Sequence, residues 1–159
     1  MAAFLMLFEV NDWMWVLCPL KQGYTNGMHA DTVEKKTVLI VDDDEEIRDM
    51  YARRLGLSDI ATLTAESGDM ALAQAETHKP DLILLDIKMP GMDGFEMLKQ
   101  LRAKSDWGAH VPVIFLTNVA PDTDATNAAI EETGPAYYIV KSQTDPSELV
   151  TKIREVLGS

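Results

Sequence analysis

The chain has 159 residues, 47% of them hydrophobic and 25% charged, which excludes a disordered polymer and fits one domain with a short extension. Its 26 acidic residues outnumber its 14 basic ones, for a net charge of −12 that argues against direct binding to nucleic acid and against nonspecific attraction to phosphates. The single cysteine, Cys18, excludes an internal disulfide and a multi-cysteine metal site, so a reducing cytoplasm is the expected compartment.

Residues 1–34 differ in character from the rest of the chain. Phe4 to Val10 and Trp13 to Leu20 are apolar but interrupted by Glu9, Asn11 and Asp12. Neither run reaches the ~18 apolar residues of a membrane span. No Lys or Arg precedes Lys21, so the start also lacks the positive region of a secretory signal. This stretch reads as a loosely ordered extension, with Met28 as a candidate natural start. The alternative is an interfacial or partner-binding helix anchored by Trp13 and Trp15.

From Lys36 onward, short apolar runs alternate with amphipathic ones, the pattern of a parallel sheet covered on both faces. Five βα units are expected, with strands near Thr37–Val41, Ile60–Thr64, Leu82–Leu85, Val111–Leu116 and Ala136–Val140. The first helix carries Ile47, Met50, Tyr51 and Leu55 as its core stripe, the third Phe95, Leu98 and Leu101, and the last Leu149, Ile153, Val156 and Leu157. Pro112 is expected at the start of its strand, where a missing N–H costs least. Asp145, Pro146 and Glu148 form an N-cap, a first-turn proline and a capping-box carboxylate. The fourth helical region, Pro121 to Thr133, has mostly alanine at its apolar positions and Ile130 as its one large anchor, so little burial is expected to hold it. No repeat or low-complexity linker interrupts the pattern.

Several strands end in chemistry. The first runs into Asp42, Asp43 and Asp44; the third delivers Asp86 into a loop built from Pro90, Gly91, Asp93 and Gly94; the fourth and fifth lead to Thr117 and Lys141. In an open parallel sheet the ligand crevice lies beyond the carboxyl ends of the strands, so these residues are expected to converge. Taken alone, Asp86 reads as a turn or cap residue, Thr117 as a strand former and Lys141 as a surface lysine. Together they suit phosphoryl transfer. A carboxylate can attack a phosphoryl group provided its oxygens are neutralised. Three clustered acids are costly without a cation, and Mg2+, which takes hard oxygen ligands from one or two carboxylates and a phosphate, is the natural candidate. Asp44, beside Glu45 and Glu46, is assigned to helix capping, Asp43 to the metal, and Asp42 to assisting it.

These segments resemble the receiver domains of two-component response regulators. The resemblance spans Lys36 to Leu157, which divides the chain into an extension over 1–34 and a receiver domain over 35–159 of the stand-alone type. VLIVDDDEEIR at Val38 to Arg48 is similar to the family's acidic-pair strand, KPDLILLDIKMPGMDG at Lys79 to Gly94 to its phosphoacceptor strand and loop, and PVIFLT and YYIVK to its switch strands. The resemblance implies a flavodoxin-like, doubly wound five-stranded parallel sheet in the order 2-1-3-4-5. It implies that Asp86 accepts phosphate from a histidine kinase or histidine phosphotransfer protein, that Mg2+ is held by Asp43 and Asp86 with help from Asp42 and the Lys88 carbonyl, and that Thr117 and Lys141 grip the phosphoryl oxygens. Thr117 and Tyr138 are then the switch residues. The face of the fourth helix, last strand and last helix is expected to change shape and to control a downstream effector protein or a homodimer.

Two positions depart from the family pattern. Ser142 follows Lys141 where proline is usual, which leaves open the cis peptide often found there, cis bonds before other residues being costly. Asn118 is larger than the usual small residue and is expected to slow access of a phosphodonor to Asp86. Lys88 and Val119 occupy positions that tune hydrolysis in the family, and a long-lived phosphorylated state is the expectation. Two rival readings exist. A haloacid-dehalogenase-type phosphatase would need a second acid where Lys88 stands, and its nucleophile strand would not follow the acidic one. A receiver-like module that is never phosphorylated is at odds with the complete set Asp42, Asp43, Asp86, Thr117 and Lys141. His29, His78 and His110 read as surface residues. The expected role is regulatory rather than enzymatic, acting only on the domain's own phosphorylation and dephosphorylation.

Overall fold

Five short apolar runs become the strands of one sheet, and their ends set the site. The computed structural model describes residues 35–118 and 124–158. The extension expected over 1–34 and Val119, expected to tune hydrolysis, lie outside the described residues. Strand β1 spans Thr37–Val41, β2 Ala61–Ala65, β3 Leu82–Leu85, β4 Val113–Thr117 and β5 Tyr137–Val140. All pairs are parallel, in the order β2-β1-β3-β4-β5. Strands β3 and β4 are buried at every position, as interior strands covered on both faces must be.

The connections are α1 (Glu45–Gly56), α2 (Gly68–His78), α3 (Gly94–Lys104), a short α4 (Asp106–His110), α5 (Asp124–Thr133) and α6 (Pro146–Leu157), with one 3-10 turn at Lys141–Gln143. Alternate residues of the same strands face opposite layers. Leu39, Val41, Ile83, Leu85 and Phe115 pack with Leu72 of α2 and Met97, Leu98 and Leu101 of α3. Val38, Ile40, Leu84, Ile114 and Leu116 pack with Tyr51 and Leu55 of α1 and Leu149 and Ile153 of α6.

Boundaries shift where local bonding overrides the pattern. Strand β4 starts at Val113, so Pro112 stands just outside it and contributes only its carbonyl, which accepts from the Ile83 amide at 3.0 Å. Strand β2 begins and ends one residue later than expected, and β5 begins at Tyr137. Helix α4 is an addition to the five βα units; Ser105 caps it by accepting from the Gly108 amide at 3.0 Å. Met50 is 38% exposed rather than core, because Tyr51 and Leu55 take the sheet-facing side of α1. Asp145 caps α6 through the Ser147 amide at 2.7 Å, with Pro146 in the first turn.

Candidate functional site

The carboxyl edge of the sheet gathers the strand-end residues. Register places Val41 beside Leu85, Leu85 beside Phe115 and Thr117 beside Val140, so Asp42, Asp86, Thr117 and Lys141 emerge side by side. They line a cavity of about 300 Å³ together with Asp43, Asp44, Lys88 and Asn118. A larger hollow of about 720 Å³ lies on α1 beside the start of α6, between Met50, Arg53, Arg54 and Leu57. Its carboxylates, Glu45, Glu46, Asp49 and Asp145, lie on α1 and at the start of α6 rather than at strand ends, so the smaller cavity is the candidate site.

Asp86 is 6% exposed and held on both sides. Its amide donates to the Val41 carbonyl at 2.9 Å, and its Oδ1 accepts from the amides of Ile87 at 2.7 Å and Lys88 at 3.3 Å. The loop behind it explains its own sequence. Gly91 has φ +79°, a left-handed turn that glycine adopts freely. Asp93 caps α3 through the Glu96 amide at 2.9 Å. Gly94 lies against the Asp86 backbone, where a Cβ would stand 2.3 Å from the Asp86 carbonyl oxygen.

Asp42, 3% exposed, meets the same cation as Asp86. The Lys141 ammonium donates to Asp42 Oδ2 at 2.5 Å and to Asp86 Oδ2 at 2.6 Å. Asp43 is the exposed member of the acid group, and one oxygen from each of Asp42, Asp43 and Asp86 lies within 4.8 Å of the others. Asp44 accepts from the Glu46 amide at 2.9 Å and from that of Ile47, the capping role expected for it. Thr117 is fully buried at the end of β4, and Lys88 is exposed on the cavity rim. Tyr138 is half-buried, its ring centroid 6.2 Å from that of Phe115, which in turn lies 4.9 Å from Phe95. No peptide among the described residues is cis, so the Lys141–Ser142 link is trans.

One cation serving two anions governs the electrostatics. Burial pushes the Asp42 carboxyl above its ordinary value; the Lys141 ammonium and the Asp44 amide offset that only in part, and the nearby Asp86 charge adds a smaller push upward. Burial works in the other direction on Lys141, but hydrogen bonds to Asp42 and Asp86 outweigh it and hold the ammonium above its usual range. The lysine is therefore firmly protonated.

One contact was not foreseen in the sequence. Arg48, on the first turn of α1, turns back so that its Nη1 donates to the Asp42 carbonyl at 2.7 Å. The available signal was an arginine near the start of a helix that opens with Glu45 and Glu46, a place the helix dipole disfavours for a cation.

A parallel sheet in this order, with an acid cluster and a lysine at its carboxyl edge, defines a doubly wound domain with its site at the strand ends. The family model of the response regulator receiver domain matches residues 38–154, and the chain belongs to that family, the regulatory input module of two-component systems. It is 37% identical over 130 residues to a probable transcriptional regulator, ycf27, of Guillardia theta, covering 82% of this chain and 48% of that protein. It is 36% identical to the alkaline phosphatase synthesis transcriptional regulatory protein PhoP of Bacillus subtilis, covering 77% of this chain and 48% of that protein. The chain thus spans about half the length of these relatives. Among solved structures it is similar to the chemotaxis protein CheY4 of Vibrio cholerae (TM-score 0.70, 30% identity, 77% of this chain and 98% of that one). It is likewise similar to the BeF3-activated N-terminal receiver domain of Klebsiella pneumoniae RstA (TM-score 0.67, 32% identity, 78% and 100%). No helix among the described residues is long and apolar enough to cross a membrane.

Proposed function

We propose that this receiver domain is a cytoplasmic phosphoacceptor switch in which Asp86 takes a phosphoryl group from a phosphohistidine of a histidine kinase or phosphotransfer protein. The observation that carries the reading is the Lys141 ammonium bridging two buried carboxylates, Asp42 and Asp86, at the mouth of a cavity that Asp43 and Thr117 also line. Asp86 Oδ1 is held by two backbone amides of its own loop, whereas Oδ2 meets the Lys141 side chain, which can turn aside, so Oδ2 would be the oxygen presented to the phosphorus. A bond forms from Oδ2 to phosphorus, the P–N bond breaks, and its electron pair stays on the departing imidazole nitrogen, leaving an acyl phosphate.

The donor set fits Mg2+: three carboxylates that can each turn an oxygen toward one point, with no soft ligand among them. Asp43 and Asp86, with Asp42 and the Lys88 carbonyl, would hold the ion, which would supply charge neutralisation for the phosphoryl oxygens. Lys141, whose ammonium meets Asp86 Oδ2 at 2.6 Å, would take one phosphoryl oxygen, and the Thr117 hydroxyl would donate to another. Movement of Thr117 passes to β5, its hydrogen-bonded neighbour, and to Tyr138, so the α5-β5-α6 face reports the occupancy of Asp86 to an effector protein or a second copy.

Intact mass before and after incubation with a small-molecule phosphodonor and Mg2+, with Asp86→Asn alongside, tests the reading. One added phosphate that requires Mg2+ and is lost in the variant is the expected result. A folded protein that takes none would instead be an interaction module working without phosphorylation.

A further inference from the structure

The β1–α1 loop carries two of the three clustered acids, and it is tied down on either side of the exposed one. The Asp42 amide donates to the Ala65 carbonyl of β2 at 3.2 Å, and Asp42 Oδ1 accepts from the Asp44 amide at 3.1 Å. Asp44 in turn caps α1. The remaining tie is the one from Arg48, whose guanidinium holds the Asp42 carbonyl at 2.7 Å. That carbonyl belongs to the peptide joining Asp42 to Asp43. A peptide is planar, so fixing its oxygen fixes the N–H on the other side and the position of the Asp43 Cα from which the side chain departs.

The electrostatics of this placement run against Arg48. Its charge stands on the first turn of a helix, where the dipole disfavours a cation, and close to a group of acids suited to bind one. By charge alone, Arg48 weakens the binding of a metal ion. What it gives in return is a charge-assisted hydrogen bond from a partly buried planar donor to a single carbonyl. The Arg48 amide bonds the Asp44 carbonyl at 3.0 Å, so the guanidinium is carried on the same turn that it braces.

We infer that Arg48 is a positioning residue for the metal site: it locks the Asp42–Asp43 peptide so that the Asp43 carboxylate stands ready beside Asp42 and Asp86. The inference rests on the proposed metal-assisted reading of the same site. Charge and positioning predict opposite signs, which makes the test decisive. Loss of the positive charge alone tightens Mg2+ binding; loss of the brace weakens it, by about 10-fold if Arg48 acts like other residues that orient metal ligands.

The experiment is calorimetric titration of the full chain with Mg2+, for wild type, Arg48→Met, Arg48→Gln and Arg48→Lys, with amide hydrogen exchange at Asp43 and Asp44 followed by NMR in metal-free buffer. The expected result is weaker Mg2+ binding in Arg48→Met despite its lost charge, faster exchange at Asp43 and Asp44 than in the rest of α1, and partial recovery in Arg48→Lys. Binding equal to or tighter than wild type in Arg48→Met, or exchange unchanged at those amides, overturns the inference while leaving the phosphoacceptor reading intact. Should Arg48→Met fail to fold, Arg48→Lys, which keeps the charge but not the planar guanidinium donor, decides: Mg2+ binding weaker than wild type supports the inference, and unchanged binding with unchanged exchange overturns it. A wild-type protein that binds no Mg2+ overturns both.

Discussion

Replacing Lys141 with methionine keeps the length of the side chain and removes the cation that two buried carboxylates share. The side chains of Lys141, Asp42 and Asp86 are 9%, 4% and 8% exposed, so solvent screens them little. At an effective dielectric constant of about 20, a charge pair at the 2.6 Å of Lys141 and Asp86 is worth roughly 6 kcal/mol before desolvation is subtracted. Desolvation removes most of that from an intact pair. When only one partner is deleted, however, the other charges stay buried, and the net loss is about 3–5 kcal/mol. For a domain of this size that lowers the melting temperature by ~10–20 °C in metal-free buffer, measurable by thermal denaturation followed by circular dichroism.

Magnesium supplies the discriminating arm. On the proposed metal-assisted reading, an ion in the parent would compete with Lys141 for oxygens of Asp42 and Asp86; in Lys141→Met that competitor is gone. The same Mg2+ concentration should therefore raise the variant's melting temperature more than the parent's, each tenfold gain in affinity adding about 1.4 kcal/mol once the ion is well above its dissociation constant. A metal-free loss under about 1 kcal/mol, or a Mg2+ shift no larger than in the parent, would refute the account of Lys141 as resting counter-ion.

Gly94→Ala places a Cβ 2.3 Å from the Asp86 carbonyl oxygen and 3.0 Å from Ile87 Cα, backbone atoms that cannot rotate aside. Overpacking of this kind costs about 1–3 kcal/mol in urea denaturation, and phosphoryl uptake should slow because Asp86 moves with its carbonyl; a variant matching the parent in both would contradict the packing argument. Asp81 offers a pH test remote from the site: burial works against its charge, but bonds from Lys36 at 2.8 Å and the Thr37 amide at 2.9 Å outweigh it and lower the carboxyl below its ordinary value. A depressed folded value means stability present above about pH 3.8 and lost as pH falls through the lower folded value. Asp81→Asn should accordingly cost less than about 1 kcal/mol at pH 7, a third of the side chain being exposed, with the difference from the parent shrinking toward pH 3; a difference independent of pH would exclude the ion pair as its source.

The fold and the strand-end residues were legible in the sequence because an interior parallel strand is apolar throughout, so its first charged residue marks where it leaves the sheet. LILL followed by Asp86 and VLIV followed by Asp42 are read in that way, and the order of the sheet came from the family resemblance. Helix α4 was not legible, since five residues are too few to show a helical period and its anchor is Gly108, packed against the Leu101 carbonyl. Met50 was misplaced because spacing of three and four residues fits two adjoining rows of α1, and only packing selects the one through Tyr51 and Leu55. The convergence of Lys141 with the acids was legible from its place at a strand end, but its sharing between carboxylates 55 and 99 positions away was not, and the Arg48 tie ends on a backbone carbonyl that no residue type specifies.

The unequal anchoring of the helices bears on where a signal would leave. Helices α1, α2, α3 and α6 are fastened by buried side chains such as Leu55, Leu72, Leu98 and Ile153. In α5, Thr133 is buried, Ala129 and Ile130 are half-buried, and a bridge from Glu132 to Lys99 at 2.9 Å joins it to α3 with both partners more than half exposed. Such a bridge contributes under about 1 kcal/mol. Among the residues of α5 whose burial is described, 127–133, less apolar surface is buried than in α1, α2, α3 or α6. It follows β4, whose last residue is Thr117, and β4 pairs directly with β5, which carries Tyr138 and leads into Lys141. Both residues proposed to grip the phosphoryl group thus lie at the ends of β4 and β5, the strands on either side of α5 in the chain. On the proposed reading, a charge added at Asp86 pulls on Thr117 and Lys141 together, and the element that yields at least cost is α5, with the adjoining edge of β5.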